Sequence, residues 1–168
     1  MELATRINQS SKGDLMPLIS VACAMTLTEW SESTFRRRFA DGTLKKTMER
    51  GGAGRAMVEW SAIRASLACP WPEAGIPLLL EADAGHAVSQ REVGLELLIA
   101  GRPRGARQWL LQAAKREDSE AAYWLSRLHL VGDGAEPDVA GAMRWLGEAA
   151  RLGHAIARAQ IAALSGAS

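Results

Sequence analysis

One recurring segment constrains this chain more than anything else in it. Trp109-Leu-Leu-Gln-Ala113-Ala114 returns 36 residues later as Trp145-Leu-Gly-Glu-Ala149-Ala150, and a period of that size means stacked helix pairs. Extending the register aligns Ala106 with Ala142, Ala121 with Ala157 and Leu125 with Ile161. Gly85-His86 aligns with Gly153-His154 once four residues are removed from the earlier inter-helix loop. The repeat therefore covers about 82–165. A unit begins with a helix such as 119–131, in which Ala122, Leu125 and Leu128/His129 fall at helical spacing. Gly132-Asp133-Gly134 stops it, and Pro137-Asp138 opens a second helix in which Ala142, Trp145, Leu146, Ala149 and Ala150 recur at three and four. Neither helix can bury its apolar stripe alone, so each pair must stack on the next.

These residues resemble the Sel1-like repeat, a relative of the tetratricopeptide repeat. Its pattern runs Ala, Leu-Gly, a Gly-x-Gly loop, Asp, Ala, Trp, Ala-Ala and a final Gly-His. Ala121 to His154 carries nearly all of it, with Ser126 in place of the first Gly. The earlier copy, 89–118, keeps Val93-Gly94, Ala106, Trp109 and Ala113-Ala114. It shortens the loop to Gly101-Arg-Pro-Arg-Gly105 and has Glu117-Asp118 where Gly-His is expected. Residues 77–88 read as the second helix of a still earlier unit. The resemblance implies a protein-binding adaptor and no chemistry.

The repeat also gives the histidines structural roles. His86 and His154 share a helix-end position, and His129 takes an aromatic or aliphatic place in a first helix. Cys23 and Cys69 have no CxxC spacing, which points away from a zinc cluster or a disulfide framework. With no Ser/His/Asp or Cys/His set, paired-carboxylate motif or phosphate loop, the expectation is a protein that is not an enzyme and uses neither metal nor cofactor. Gly51-Gly-Ala-Gly54 reads as a hairpin turn, because no apolar strand precedes it and Arg55-Ala-Met-Val reads as a strand.

The formal charge of +1 hides an asymmetry: residues 1–69 hold 10 Lys+Arg against 7 acids, and residues 70–168 hold 10 against 12. Seven of the basic residues and only three acids lie within 31–55, a clustering that suggests a surface facing a polyanion. The sign changes at Cys69-Pro70-Trp71-Pro72-Glu73-Ala74-Gly75. Before that join, Ser20 can cap a helix over 21–28, with Ala24 and Leu27 inward, and Ser31 can cap a second over 32–41, ended by Asp41-Gly42. Phe35 and Phe39 form the buried stripe of the second helix, and Ser33, Arg36, Arg37 and Ala40 fall on its other side. Extended runs Leu44 to Arg50 and Arg55 to Trp60 make a hairpin bearing Lys45, Lys46, Arg50 and Arg55, after which Ser61 caps a short helix containing Ile63 and Leu67.

This succession resembles the winged helix-turn-helix of phage excisionases and MerR regulators over Leu18 to about Leu67. Its best motif is Ser31-Glu-Ser-Thr34-Phe35-Arg-Arg-Arg-Phe39-Ala-Asp-Gly42-Thr-Leu44. Two residues depart from the pattern: Glu29 stands where the family has its turn Gly, and Arg38 where excisionases place Leu. The resemblance implies that Ser33, Thr34, Arg36 and Arg37 enter the major groove of double-stranded DNA, and that Lys45, Lys46, Arg50 and Arg55 follow the adjacent phosphates as a wing. Arginine suits the groove because its planar fork can take guanine O6 and N7 together.

The expected architecture is mainly α: a flexible 1–14, a winged helix-turn-helix with a two-stranded β wing at 15–69, a Pro-rich linker at 70–75 and an α-solenoid of Sel1-like repeats at 76–165. The expected function is sequence-specific DNA binding by a bacterial or phage-type transcriptional regulator. The repeats would hold a protein partner or a second copy, since so few units leave the last helix, 155–164, with Ile156, Ile161 and Leu164 uncovered. The alternative is a Sel1-like adaptor or scaffold that does not bind DNA and whose N-terminal module docks on protein, with export as one form of that reading. Leu15 to Val21 followed by Ala22-Cys23-Ala24 mimics a signal peptide weakly, because Asp14 abuts the apolar run and Pro17 interrupts it. A cytoplasmic protein that does not span a membrane is the expectation.

Overall fold

The computed structural model describes residues 17–48, 54–132 and 136–166. Its order is β1 (Leu18–Ser20), α1 (Val21–Thr28), α2 (Glu32–Ala40), β2 (Thr47–Met48), β3 (Ala56–Glu59) and α3 (Trp60–Ile63). Six further helices follow: α4 (Ile76–Ala84), α5 (Ala87–Ile99), α6 (Pro103–Ala114), α7 (Ser119–Val131), α8 (Val139–Arg151) and α9 (Ala155–Gly166). The chain is thus mainly helical, with one small antiparallel sheet of order β1-β3-β2.

The first two helices start where side-chain caps allow. Ser20 accepts from the Cys23 amide at 3.0 Å, and Ser31 from the Thr34 amide at 3.3 Å, each satisfying an amide that the helix leaves unbonded. Ala24 and Leu27 of α1 are buried, as their spacing requires, and Phe35 of α2 is buried with Phe39 half-covered beside it. Between the helices Glu29 adopts a left-handed φ of +57°, which is why a glycine would suit this turn.

The sheet departs from the sequence reading. β1 was not expected at all; it pairs with β3 through Ile19 opposite Val58. The run Leu44 to Arg50 yields only Thr47–Met48 as strand, and Glu49 to Ala53 lie outside the described residues. The third helix begins at Trp60, with Glu59 rather than Ser61 in the cap position and no side-chain cap bond. Leu67 lies beyond its end, after a 3-10 turn at Arg64–Ser66.

From α4 onward each helix packs on the next, the arrangement expected of a helical solenoid. Three joints between units share one geometry. At Gly85-His86, Glu117-Asp118 and Gly153-His154 the first residue is left-handed, with φ of +102°, +65° and +97°. The second sends its amide back to a carbonyl of the preceding helix: His86 to Glu81 at 3.1 Å, Asp118 to Ala113 at 3.2 Å and His154 to Ala149 at 2.9 Å. This is a Schellman-type ending. The second residue also stands at the N-cap of the next helix, where Asp118 accepts from Ala121 N at 2.8 Å and His154 Nδ1 from Ala157 N at 3.2 Å. Glu117 is the one joint residue with a Cβ in the left-handed region, so Glu117→Gly is expected to stabilise the protein by about 1 kcal/mol. A shift of the urea midpoint to higher concentration with an unchanged slope checks it.

The cores do not divide at the Pro-rich join. One continuous cluster runs from Ile19, Leu27, Phe35, Val58 and Ile63 through Leu79, Val93 and Leu97 to Ala106 and Trp109. A second begins at the very next residue of α6, with Leu110, and continues through Ala113, Ala122, Leu125, Leu146 and Ala149. The N-terminal elements are therefore fused to the first repeat helices. Trp109 and Trp145, equivalent in the repeat, differ for this reason: Trp109 is 6% exposed, whereas Trp145 is only half-buried rather than sealed in a seam. At the far end α9 buries only Ala157 and leaves Ile156 and Leu164 55% and 53% exposed.

Candidate nucleic-acid interface

The basic side chains sort themselves by what surrounds them. Helix α2 buries Phe35, which packs 5.4 Å from the Trp30 ring and 6.0 Å from Phe39, centroid to centroid. This fixes which side of α2 faces out. Arg36 and Arg37 lie on that exposed side. Arg36 is drawn along the helix to Glu32, Nη2 to Oε1 at 2.5 Å, a solvent-exposed pair of small net worth that a stronger acceptor can replace. Arg37 makes no ion pair among the described residues. Arg38 turns inward instead and lies 4.0 Å over the Trp30 ring. A cation on an aromatic face thus fills the place an apolar residue would take.

Ser33 is exposed and Thr34 half-buried, and both are tied into the helix cap, with Ser31 Oγ 2.8 Å from Ser33 Oγ and 3.0 Å from Thr34 Oγ1. After α2, Thr43 closes the turn by donating to Asp41 Oδ1 from its hydroxyl at 2.6 Å and its amide at 3.0 Å. These bonds hold the Asp41 carboxyl below the ordinary carboxylate range. Leu44 then anchors the chain in the core, and Lys45 and Lys46 project next to α2's exit, both exposed. Arg50 lies outside the described residues.

Arg55 does not sit with the others. Its guanidinium donates to the Asp83 carbonyl at 2.6 Å and reaches the Asp83 carboxylate at 3.5 Å. Asp83 also accepts from the Ser20 amide at 2.7 Å and from its hydroxyl at 2.5 Å. One acid on α4 therefore gathers the start of α1 and the start of β3. The sequence places Arg55 in the basic hairpin; the partner it meets here stands 28 residues away on another element, and its side chain stays 45% exposed.

Other contacts tighten the same junction. Trp109 Nε1 donates to Thr26 Oγ1 at 2.8 Å. Gly105 lies so near α1 that a Cβ there would come within 2.8 Å of the Thr26 carbonyl oxygen. Arg102 donates to the Ala68 carbonyl and pairs with Glu29 at 3.5 Å, which gives the strained Glu29 a partner that glycine could not supply.

The histidines serve the repeats. His129 Nδ1 lies 3.1 Å from Asp138 Oδ2 and its Nε2 lies 3.2 Å from Arg107 Nη2, so it links α6, α7 and the start of α8. His154 Nε2 meets Glu120 Oε2 at 3.0 Å, and its ring stacks on Tyr123 at 4.4 Å. Asp138 caps α8, and the bond from the Gly141 amide, followed by His129, holds its carboxyl below the usual range. No cluster of His, Cys, Asp or Glu suited to a metal ion occurs among the described residues. No helix among them is long and apolar enough to cross a membrane.

The stacked pairs from α4 to α9 make this a helical-repeat protein. Within it, residues 101–118 and 119–154 match the family model for the Sel1 repeat, a family of protein-interaction scaffolds. The second match coincides with α7, α8 and the Gly153-His154 joint, and the first takes in α6 and the joint at Glu117-Asp118. No curated protein matches the chain.

Proposed function

We propose that the chain is a sequence-specific DNA-binding protein of the transcriptional-regulator kind, with its N-terminal elements acting as a winged helix-turn-helix and its Sel1 repeats holding a protein partner or a second copy. The observation that carries this reading is the exposed basic side of α2. Arg36 and Arg37 project from a helix locked in place by Phe35, and Lys45 and Lys46 follow on the segment leading into β2. The order β1-α1-α2-β2-β3 with strand β3 central, and the left-handed Glu29 in the turn where the excisionase pattern has glycine, support the same reading. Arg38, where excisionases place Leu, lies against the Trp30 ring and so covers the apolar surface a Leu would cover there. On this scaffold α2 lies in the major groove, Ser33, Thr34, Arg36 and Arg37 meet base edges and nearby phosphates, and Lys45 and Lys46 neutralise the flanking backbone. Arg55, with its side chain 45% exposed, also ties the start of β3 to Asp83 of α4.

The Sel1 match favours a second reading, an adaptor whose N-terminal elements dock on protein. Fluorescence anisotropy of the full chain on a random duplex separates the two. On a random duplex, with no cognate bases to read, Arg36, Arg37, Lys45 and Lys46 would each meet a phosphate, and four such contacts give log K falling with log salt at a slope of about −3.6. No binding to duplex at low salt would support the adaptor.

A further inference from the structure

We propose that the cleft between α1 and α6 binds a small aromatic carboxylate that also carries a hydrogen-bond donor. The cleft is open to solvent and offers about 530 Å³, within the range of small-molecule sites, and it lies between two parts of the fold, where such sites concentrate.

Its chemistry is set mainly by α6. Gln108, Gln112 and Arg116 fall four apart and so form one polar row along the helix and its exit, and all three line the cleft. Arg116 donates to the Gln112 carbonyl at 3.2 Å, and no carboxylate pairs with it among the described residues. The acid in the cleft, Asp83, is already engaged by Ser20 and Arg55. The charge left to a ligand is therefore Arg116's, whose planar fork fits a carboxylate.

Two further features narrow the ligand. Gln90 lines the cleft while only 4% exposed, and its Nε2 donates to the Ala82 carbonyl at 3.0 Å. Its Oε1 has no partner. A buried acceptor in that state calls for an O–H or N–H group. Trp109, held by its bond to Thr26, lines the cleft together with the small side chains of Ala22, Ala56, Ala82 and Ala84, so the lining offers an aromatic partner and apolar surface to a ring.

Because this site rests on α1, α4, α5 and α6 and not on the face of α2, it stands whether or not the chain binds DNA. The test uses the full chain with 4-hydroxybenzoate as probe, read by calorimetric titration and by melting in the presence of ligand. The expected dissociation constant is below about 1 mM, with a rise in melting temperature. Benzoate, which lacks the donor, and 4-hydroxybenzamide, which lacks the charge, are each expected to bind about tenfold more weakly or worse. Arg116 is exposed, so Arg116→Gln should melt like the parent without ligand. It should lose about tenfold in affinity for 4-hydroxybenzoate while 4-hydroxybenzamide binds as before. Absence of binding at about 10 mM 4-hydroxybenzoate, equal affinity for benzoate, or equal affinity of Arg116→Gln and parent for 4-hydroxybenzoate would each overturn the proposal.

Discussion

Trp109→Ala is expected to lower the unfolding free energy by about 3–5 kcal/mol, the usual cost of removing a large buried aromatic, whereas Trp145→Ala should cost roughly half of that. The sequence treats the two residues as equivalents, each opening the same Trp-Leu-x-x-Ala-Ala segment. Their surroundings are not equivalent. Trp109 is covered by the N-terminal elements: its ring belongs to the cluster that includes Leu27 and Leu97, and its indole N–H is bonded to Thr26. Truncation removes that ring from the middle of a continuous core and deprives Thr26 of its donor. Trp145 packs only on the second cluster and keeps part of its ring in water. Thermal melting of both variants checks this. Equal losses would mean that the N-terminal elements do not cover the first repeat.

The repeat was legible because its information is local and periodic. Ala, Trp and Gly positions recur where helices must approach closely or turn sharply, and no long-range partner is needed to recognise them. Ser20 and Ser31 were legible for a similar reason, since a cap is decided within three residues. Strand β1 was not, because its three residues carry no alternation and acquire their partner only from β3, about 40 positions later. Arg55 illustrates the limit best. Charge and position placed it among phosphate-facing residues, but Asp83, on a helix that reads simply as part of a repeat, captures it. At the Pro-rich join composition changes, yet apolar residues on both sides fall into one core, which no local pattern shows. The inward turn of Arg38 depends on a neighbouring Trp30 that sequence patterns for this fold do not require.

Arg36→Ala and Arg37→Ala are each expected to weaken specific DNA binding by about 1–3 kcal/mol, the worth of a good base contact, with the double variant losing most discrimination between sequences. Lys45→Ala or Lys46→Ala should instead weaken all sequences alike, because a phosphate contact carries no base information. The division follows from placement. Arg36 and Arg37 share the outward face of a helix whose opposite side is fixed by Phe35, and the two lysines lie on an extended segment beyond it. All four side chains are exposed, and truncating them leaves the core and the caps of α1 and α2 untouched.

The most direct measurement is selection of bound duplexes from a random pool by the full chain, followed by competition between an enriched sequence and its scramble. The account predicts an enriched sequence that the parent prefers by at least about a hundredfold, a preference that falls to near equality in the Arg36/Arg37 double variant. A pool with no enrichment, or an enriched sequence that parent and double variant bind equally well, would contradict it.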